Sequence, residues 1–221
     1  MRGRQFVAIP IDAGRPGDIW RLHADDRPVR IRKRRKHMVV FQSDAEPSGH
    51  GLGSEDWGHT LQRFRENLDS LHAGDLAHVF VPETEVYILE IATNDYKASG
   101  KGWVSWRTGQ PPTSEFADHG LFFDPASEWN LDGELVYRPF PMLDDGAPVA
   151  DSQGRQWTFT APFSFTGEDG KRGMPAWPLT VAGDDERTKT LNSTSENDER
   201  AEWSARSGVS SDVFDLEVPD W

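Results

Sequence analysis

Apolar and polar residues alternate with a period of two along most of the chain, and this pattern predicts strands. Residues 5–11, 18–23 and 29–32 read as short strands, and residues 37–42, His-Met-Val-Val-Phe-Gln, as a buried strand flanked by charge. Residues 76–81 and 85–92 read as a strand pair joined around Pro82-Glu83-Thr84. The second of these is apolar on nearly both faces and should be central to a sheet. Residues 101–107 add a further strand, and shorter ones follow at 121–123 and 134–140. Over residues 155–165, Trp157, Phe159, Ala161, Phe163 and Phe165 share one face of a half-buried strand. Polar turns are expected at residues 151–154 and 167–173. The period changes once, where Trp57, Leu61, Phe64, Leu68 and Leu71 draw the apolar stripe of a helix over about 55–72. Ser54 would cap that helix, Glu55 and Asp56 would complement its dipole, and Ala73-Gly74-Asp75 would end it. After residue 182 the pattern fades.

These elements predict an α+β, mostly β protein, built around a small barrel with one principal amphipathic helix. A single β-rich domain is expected over residues 1–182. It comprises a basic amino-terminal segment (1–43), a barrel-like part (37–110) and a β-rich extension (120–182). Residues 183–211 are rich in Asp, Glu, Ser, Thr and Asn, with little to bury. Residues 183–221 therefore read as a polar acidic linker and tail, with room for one short helix near 198–206 and an edge strand or acidic tail at 213–218.

Composition narrows the class. The 221 residues contain no cysteine, which excludes disulfide scaffolds, thiolate metal sites and cysteine nucleophiles and agrees with a cytoplasmic location. A mean hydropathy of -0.68, with no long apolar run, argues against a membrane span. The net charge is -13, yet residues 1–43 hold eleven Arg and Lys against Asp12, Asp18, Asp25 and Asp26. Within that segment Arg30, Arg32, Lys33, Arg34, Arg35 and Lys36 fall inside eight positions ending at His37. Such density suits phosphate, because binding a polyanion releases its counterions. The other readings are a basic strand or hairpin docked on the protein's own acidic surface, or a solvated loop. Nine tryptophans accompany the cluster, and a Trp exposed beside Arg can stack a base. Trp57, Trp103 and Trp106 are the candidates, with Arg63 and Arg65 on the polar face of the expected helix.

Catalytic constellations are sparse. His50, Asp56 and His59 lie at a loop-to-helix junction, and Asp56 and His59 have the i, i+3 spacing that two metal ligands can use. A metal-dependent hydrolase is the reading they allow, although carboxylates also belong at any helix amino terminus. The Gly-rich stretch 48–54 lacks the Gly-Lys-Ser/Thr of a nucleotide-binding loop. No resident cofactor is expected, and an enzyme is the less favoured class.

The order of elements over residues 37–107 is strand, Gly-rich loop, Trp57-Gly58, helix with Gln62-Arg63-Phe64-Arg65-Glu66-Asn67, Gly74-Asp75, strand pair and Trp103-Val104-Ser105-Trp106. In this it resembles the EVE branch of the PUA-like domains, small SH3-like barrels that cradle a flipped or single-stranded base. The resemblance covers a third of the chain and departs from the family in lacking its Asn-Tyr-Gln helix opening. It implies a non-catalytic nucleic-acid-binding module that reads a modified base or a single strand. The alternative partner is a basic protein, held by the acidic remainder of the chain as an immunity protein or antitoxin would hold it.

Overall fold

The computed structural model describes residues 9–35, 38–43, 46–53, 61–93, 101–112, 120–123, 131–181, 189–191 and 195–215. The protein is α+β and mostly β, with two antiparallel sheets and one α-helix among these residues. The first sheet runs β3 (Glu46–Gly53), β2 (Met38–Ser43), β1 (Ile19–Arg35), β5 (Leu76–Thr93), β6 (Lys101–Arg107), β7 (Gly120–Phe123). Two further strands join it, β4 (Arg63–Phe64) on β5 and β8 (Asp132–Tyr137) on β1. The second sheet has the order β11 (Ser164–Gly167), β10 (Gln156–Thr160), β9 (Pro148–Ala150), β12 (Leu179–Val181), β13 (Lys189–Leu191).

Two long strands organise the molecule. Residues 18–23 and 29–32, expected as separate strands, are parts of the single 17-residue β1. The expected pair at 76–92 is likewise the single 18-residue β5. Pro82 does not turn the chain. The β1/β5 register instead shifts between Leu22 and Ala24 and again between Ala24 and Arg27, so the strands bend by bulging rather than by ending. The second shift carries three β1 residues past two of β5, which changes the parity of the buried positions from Leu22 and Ala24 to Val29 and Ile31.

Each half of the long pair has its own core. Around the first half of β1, Trp20, Leu22, Val86, Ile88, Trp103 and Leu135 pack on one face with Leu61 and Val81. The opposite face presents Ile19, Tyr87, Trp106 and Tyr137 to Phe140, Phe159, Phe163, Phe165 and Leu179 of the second sheet and its connections. Around the second half, Val29, Ile31, Val39, Phe41, Phe64, Leu71, Ala77 and Val79 form a third cluster on one face only.

The expected helix at 55–72 is corrected. Residues 54–60 lie outside the described residues, and 61–72 form β4 and a 3-10 turn at Leu68–Ser70. The apolar stripe is buried as expected at Leu61, Phe64 and Leu71, but through a different backbone. Phe64 pairs with Val79 and meets the Phe41 ring edge to face at 5.4 Å. Asn67 then accepts from the Asp69 amide and diverts the chain into the short turn. Among the described residues the α-helix is α1 (Glu196–Ser207), where the short helix near 198–206 was expected.

The linker reading of 183–211 fails over its described parts. β13 pairs with β12 at Leu179↔Leu191. Helix α1 has a Ser195/Asp198 capping box and ends on Gly208 at φ 72°, and its Trp203 is completely buried. The Trp203 indole donates to the Gly17 carbonyl at 2.8 Å and packs edge to face on Tyr87 and Phe214. The Tyr137 hydroxyl donates to the buried Glu199 carboxylate. Residues 213–214, expected to begin a strand, belong to a 3-10 turn at Ser211–Phe214. The alternation at 155–165 is a hairpin rather than one strand, with Phe159 opposite Phe165 on the core face.

Candidate nucleic-acid interface

Pairing and burial together divide the second half of β1 and its neighbours into an inner and an outer face. Directly paired residues share a face of an antiparallel sheet. Arg30 pairs with Leu76, Pro28 with His78, and Arg63 of β4 with Phe80. The intervening Val29, Ile31, Ala77 and Val79 are buried. Arg30, Pro28, Leu76, His78, Phe80 and Arg63 therefore stand together on the outer face, and Leu76 is 59% exposed there.

A bulge sorts the cation cluster. The β1/β2 register passes from Ile31↔Phe41 to Lys33↔Val40, leaving Arg32 as the extra residue. Arg32 and Lys33 both remain exposed. Arg34, now opposite the buried Val39, turns to the inner side. There its guanidinium donates to the Asp69 and Leu71 carbonyls of the 3-10 turn and to the Asp69 carboxylate at 3.0 Å. Arg34 is thus corrected from phosphate ligand to a tether of the loop that covers the third core. Arg30 donates to the Gly74 carbonyl at 3.2 Å and Arg32 to the Gln42 side chain, which orders both without neutralising either. Nothing is described of the Arg35 side chain, and Lys36 lies outside the described residues.

The two arginines expected on a helix face reach the same surface through β4. Arg65 sits over the Phe80 ring at 5.6 Å and pairs with Asp26, which lies at the β1 bulge. Arg63 donates to the Gln62 carbonyl at 2.7 Å, and burial, together with nearby Arg107, lowers its pKa. Glu66 is tied to His78, whose amide donates at 2.9 Å and whose ring nitrogen lies 3.0 Å away. Partial burial works against the charged carboxylate, but the His78 hydrogen bonds outweigh it and hold the Glu66 pKa below its usual value. Phe80 and His78 were not singled out by the sequence. The signal was present in the alternation of residues 76–80, whose odd positions, Ala77 and Val79, are buried and whose even positions therefore face out.

Two of the three expected stacking tryptophans, Trp103 and Trp106, are corrected. Trp103 is 2% exposed and tilts against Trp20 at 5.4 Å, and Trp106 is 1% exposed on the opposite face of β6. Both bury large apolar area in two different cores, which leaves no ring face for a base. Trp57 lies outside the described residues, as do Asp56 and His59, and nothing is described of the His50 side chain. Among the described residues no group of His, Asp and Glu has the arrangement of a metal site.

Other charged clusters are held by ion pairs of their own. Arg21 meets Glu85 at 2.7 Å, Glu134 at 3.2 Å and Glu83 at 3.5 Å in an open pocket that also holds His23 and Asp132. Asp18, fully buried, accepts from the Arg138 guanidinium at 2.8 and 2.6 Å and from the Arg15 amide. Burial raises its pKa against the opposing pull of Arg138. Burial also lowers Arg15 to about 10, countered by Asp18, and the Arg15 guanidinium donates to the Pro139, Phe140 and Leu143 carbonyls. This network fastens the start of β1 to the chain entering the second sheet. No helix of the described residues is long and apolar enough to cross a membrane. No family model matches the chain, and no curated protein or solved structure matches it.

Proposed function

We propose that this protein is a non-catalytic nucleic-acid-binding module whose contact surface is the outer face of β2, β1, β5 and β4. The observation that carries the reading is the bulge at Arg32, which puts Lys33 outward beside Arg30 and Arg32 while Arg34 turns in. With Arg63 and Arg65 beside them, five cations share a face on which Asp26 and Glu66 are each tied to one neighbour. A chain of net charge -13 that gathers cations around exposed apolar side chains has a surface complementary to phosphate and bases.

The test is binding to nucleic acid across a salt series, followed by fluorescence anisotropy. Each phosphate contact contributes roughly 0.7 to the slope of log affinity against log salt for a single strand and about 0.9 for a duplex. Arg32→Gln with Lys33→Gln should flatten the slope by about 1.4 to 1.8, whereas Arg34→Gln should leave it unchanged. A slope that falls with Arg34→Gln and not with the pair would reject this face. Absence of binding at about 50 mM salt to any nucleic acid would reject the function and favour a protein partner.

A further inference from the structure

The outer face carries information about the form of the nucleic acid as well as its charge. Leu76, His78 and Phe80 occupy alternate positions of β5, so neighbouring side chains in this row stand about 6.8 Å apart. One strand of a stacked duplex advances only about 3.4 Å per nucleotide. Consecutive bases therefore cannot stay stacked on each other and also lie against both His78 and Phe80. They must be splayed apart.

The width of the face leads to the same conclusion. Four strands in the order β2, β1, β5, β4 place the outermost axes about 14 Å apart at ~4.8 Å per neighbour. The major groove of B-form DNA is about 12 Å wide and admits a helix or a two-stranded ribbon. This broad sheet face does not fit inside it. The only α-helix of the described residues, α1, is packed into the core on the second sheet, where its Trp203 is buried.

The side chains at the Phe80 end form a platform. The Arg65 guanidinium lies over the Phe80 ring, and its side chain is 63% exposed. A guanidinium plane and an aromatic ring are the two surfaces on which an unstacked base is held. Cations flank the row at both ends, Arg30 opposite Leu76 with Arg32 and Lys33 further along β1, and Arg63 opposite Phe80 with Arg65 over its ring. Asp26 holds Arg65 from β1, across β5, and so fixes the platform to the bulge of β1.

We infer that the ligand is a single-stranded polynucleotide, with its bases splayed onto His78 and the Arg65–Phe80 pair and its phosphates on the flanking cations. The inference rests on the nucleic-acid reading of this same face. Contact through ring faces and charge makes the binding tolerant of sequence, because every base has a π-face.

The experiment measures anisotropy of a labelled oligodeoxythymidylate and of a duplex of equal length, with the wild type, Phe80→Leu, Arg65→Gln and Arg32→Gln/Lys33→Gln. The single strand should bind more tightly than the duplex. Phe80→Leu should weaken it about 5- to 150-fold, the range set by the loss of one stacked base, without changing the salt slope. Arg65→Gln, at an exposed position, should weaken it in the same sense with a slope reduced by no more than one contact, and decides the matter should Phe80→Leu not fold. A duplex bound as tightly as the single strand, or stacking variants that bind like wild type while Arg32→Gln/Lys33→Gln loses affinity, would overturn the inference and leave the nucleic-acid reading standing. No binding of either probe would overturn both.

Discussion

The two halves of β1 share one backbone ladder with β5 and differ in what covers them. Residues at the Ile19 end are packed on both faces, by the Trp20–Trp103 cluster on one side and by the second sheet and α1 on the other. Residues at the Arg30 end are, among the described residues, packed on one face only. The covered half has an aromatic interior, in which Phe140, Phe159, Phe163, Phe165, Trp177 and Trp203 meet in edge or stacked contacts. The bare half has cations and a scattering of apolar side chains in the equivalent place. A sheet gains most of its stability by burying one face, which leaves the other open to selection for binding. Function is therefore best sought where the second sheet stops.

The sharpest way to break this contrast is to damage the cover. Trp203→Ala removes the fully buried indole that bridges α1 to Gly17 and Tyr87, and should cost about 3–5 kcal/mol in chemical denaturation. A loss under about 1 kcal/mol would return residues 195–215 to the status of a loosely attached tail.

Asp151 holds the first hairpin of the second sheet together. It accepts from the amides of Gln153, Arg155 and Ala176, the Trp157 indole and the Arg155 guanidinium. Asp151→Ala strands these donors and should cost roughly 2–3 kcal/mol. Burial opposes the charged carboxylate, but the Arg155 side chain, the Ala176 and Arg155 amides and the Trp157 indole overcome it and hold the pKa far below the usual range. The stability it contributes is present above the unfolded carboxylate pKa of about 4 and is lost as pH falls through that value toward the folded one. Wild type and variant should therefore converge in stability on acidification. A constant gap between pH 7 and pH 3 would contradict this.

On the bare half the effects should be smaller. Arg34→Ala removes the tether to the 3-10 turn and should cost about 1 kcal/mol, with the salt dependence of binding unchanged. Leu76→Ser should stay within about 0.5 kcal/mol of wild type, since the side chain is largely in solvent. A large loss at Leu76 would mean that this face is covered in solution.

Much of the sheet was legible because period-two alternation survives into real strands, as at residues 101–107, which match β6 to the residue. Bulges were not legible. One extra residue at Asp25–Asp26 and another at Arg32 leave no compositional mark, yet they decide which side chains face out. The helix at 55–72 was misread because Leu61, Phe64, Leu68 and Leu71 are all wanted inside, and a short strand followed by a 3-10 turn can satisfy the same spacing as a helix. Helix α1 escaped the hydrophobic pattern because Trp203 is its one buried apolar side chain, the other buried positions being Glu196, Glu199 and Ser207. The Ser195/Asp198 cap and Gly208 were its readable signals. At the site, the cation cluster was visible as a group, but its division between Arg34 and the rest required the register. The core placement of Trp103 and Trp106 follows from β6 lying between β5 and β7, where both faces are covered.

The most direct test of the central claim maps where the ligand sits. Amide chemical shifts of the isotope-labelled protein, followed during titration with an oligodeoxythymidylate, should move at residues 29–33, 63–66 and 76–80. Those of α1 and the second sheet should stay in place. Shifts concentrated on α1 or the second sheet, with residues 29–33 and 76–80 unmoved, would contradict the account.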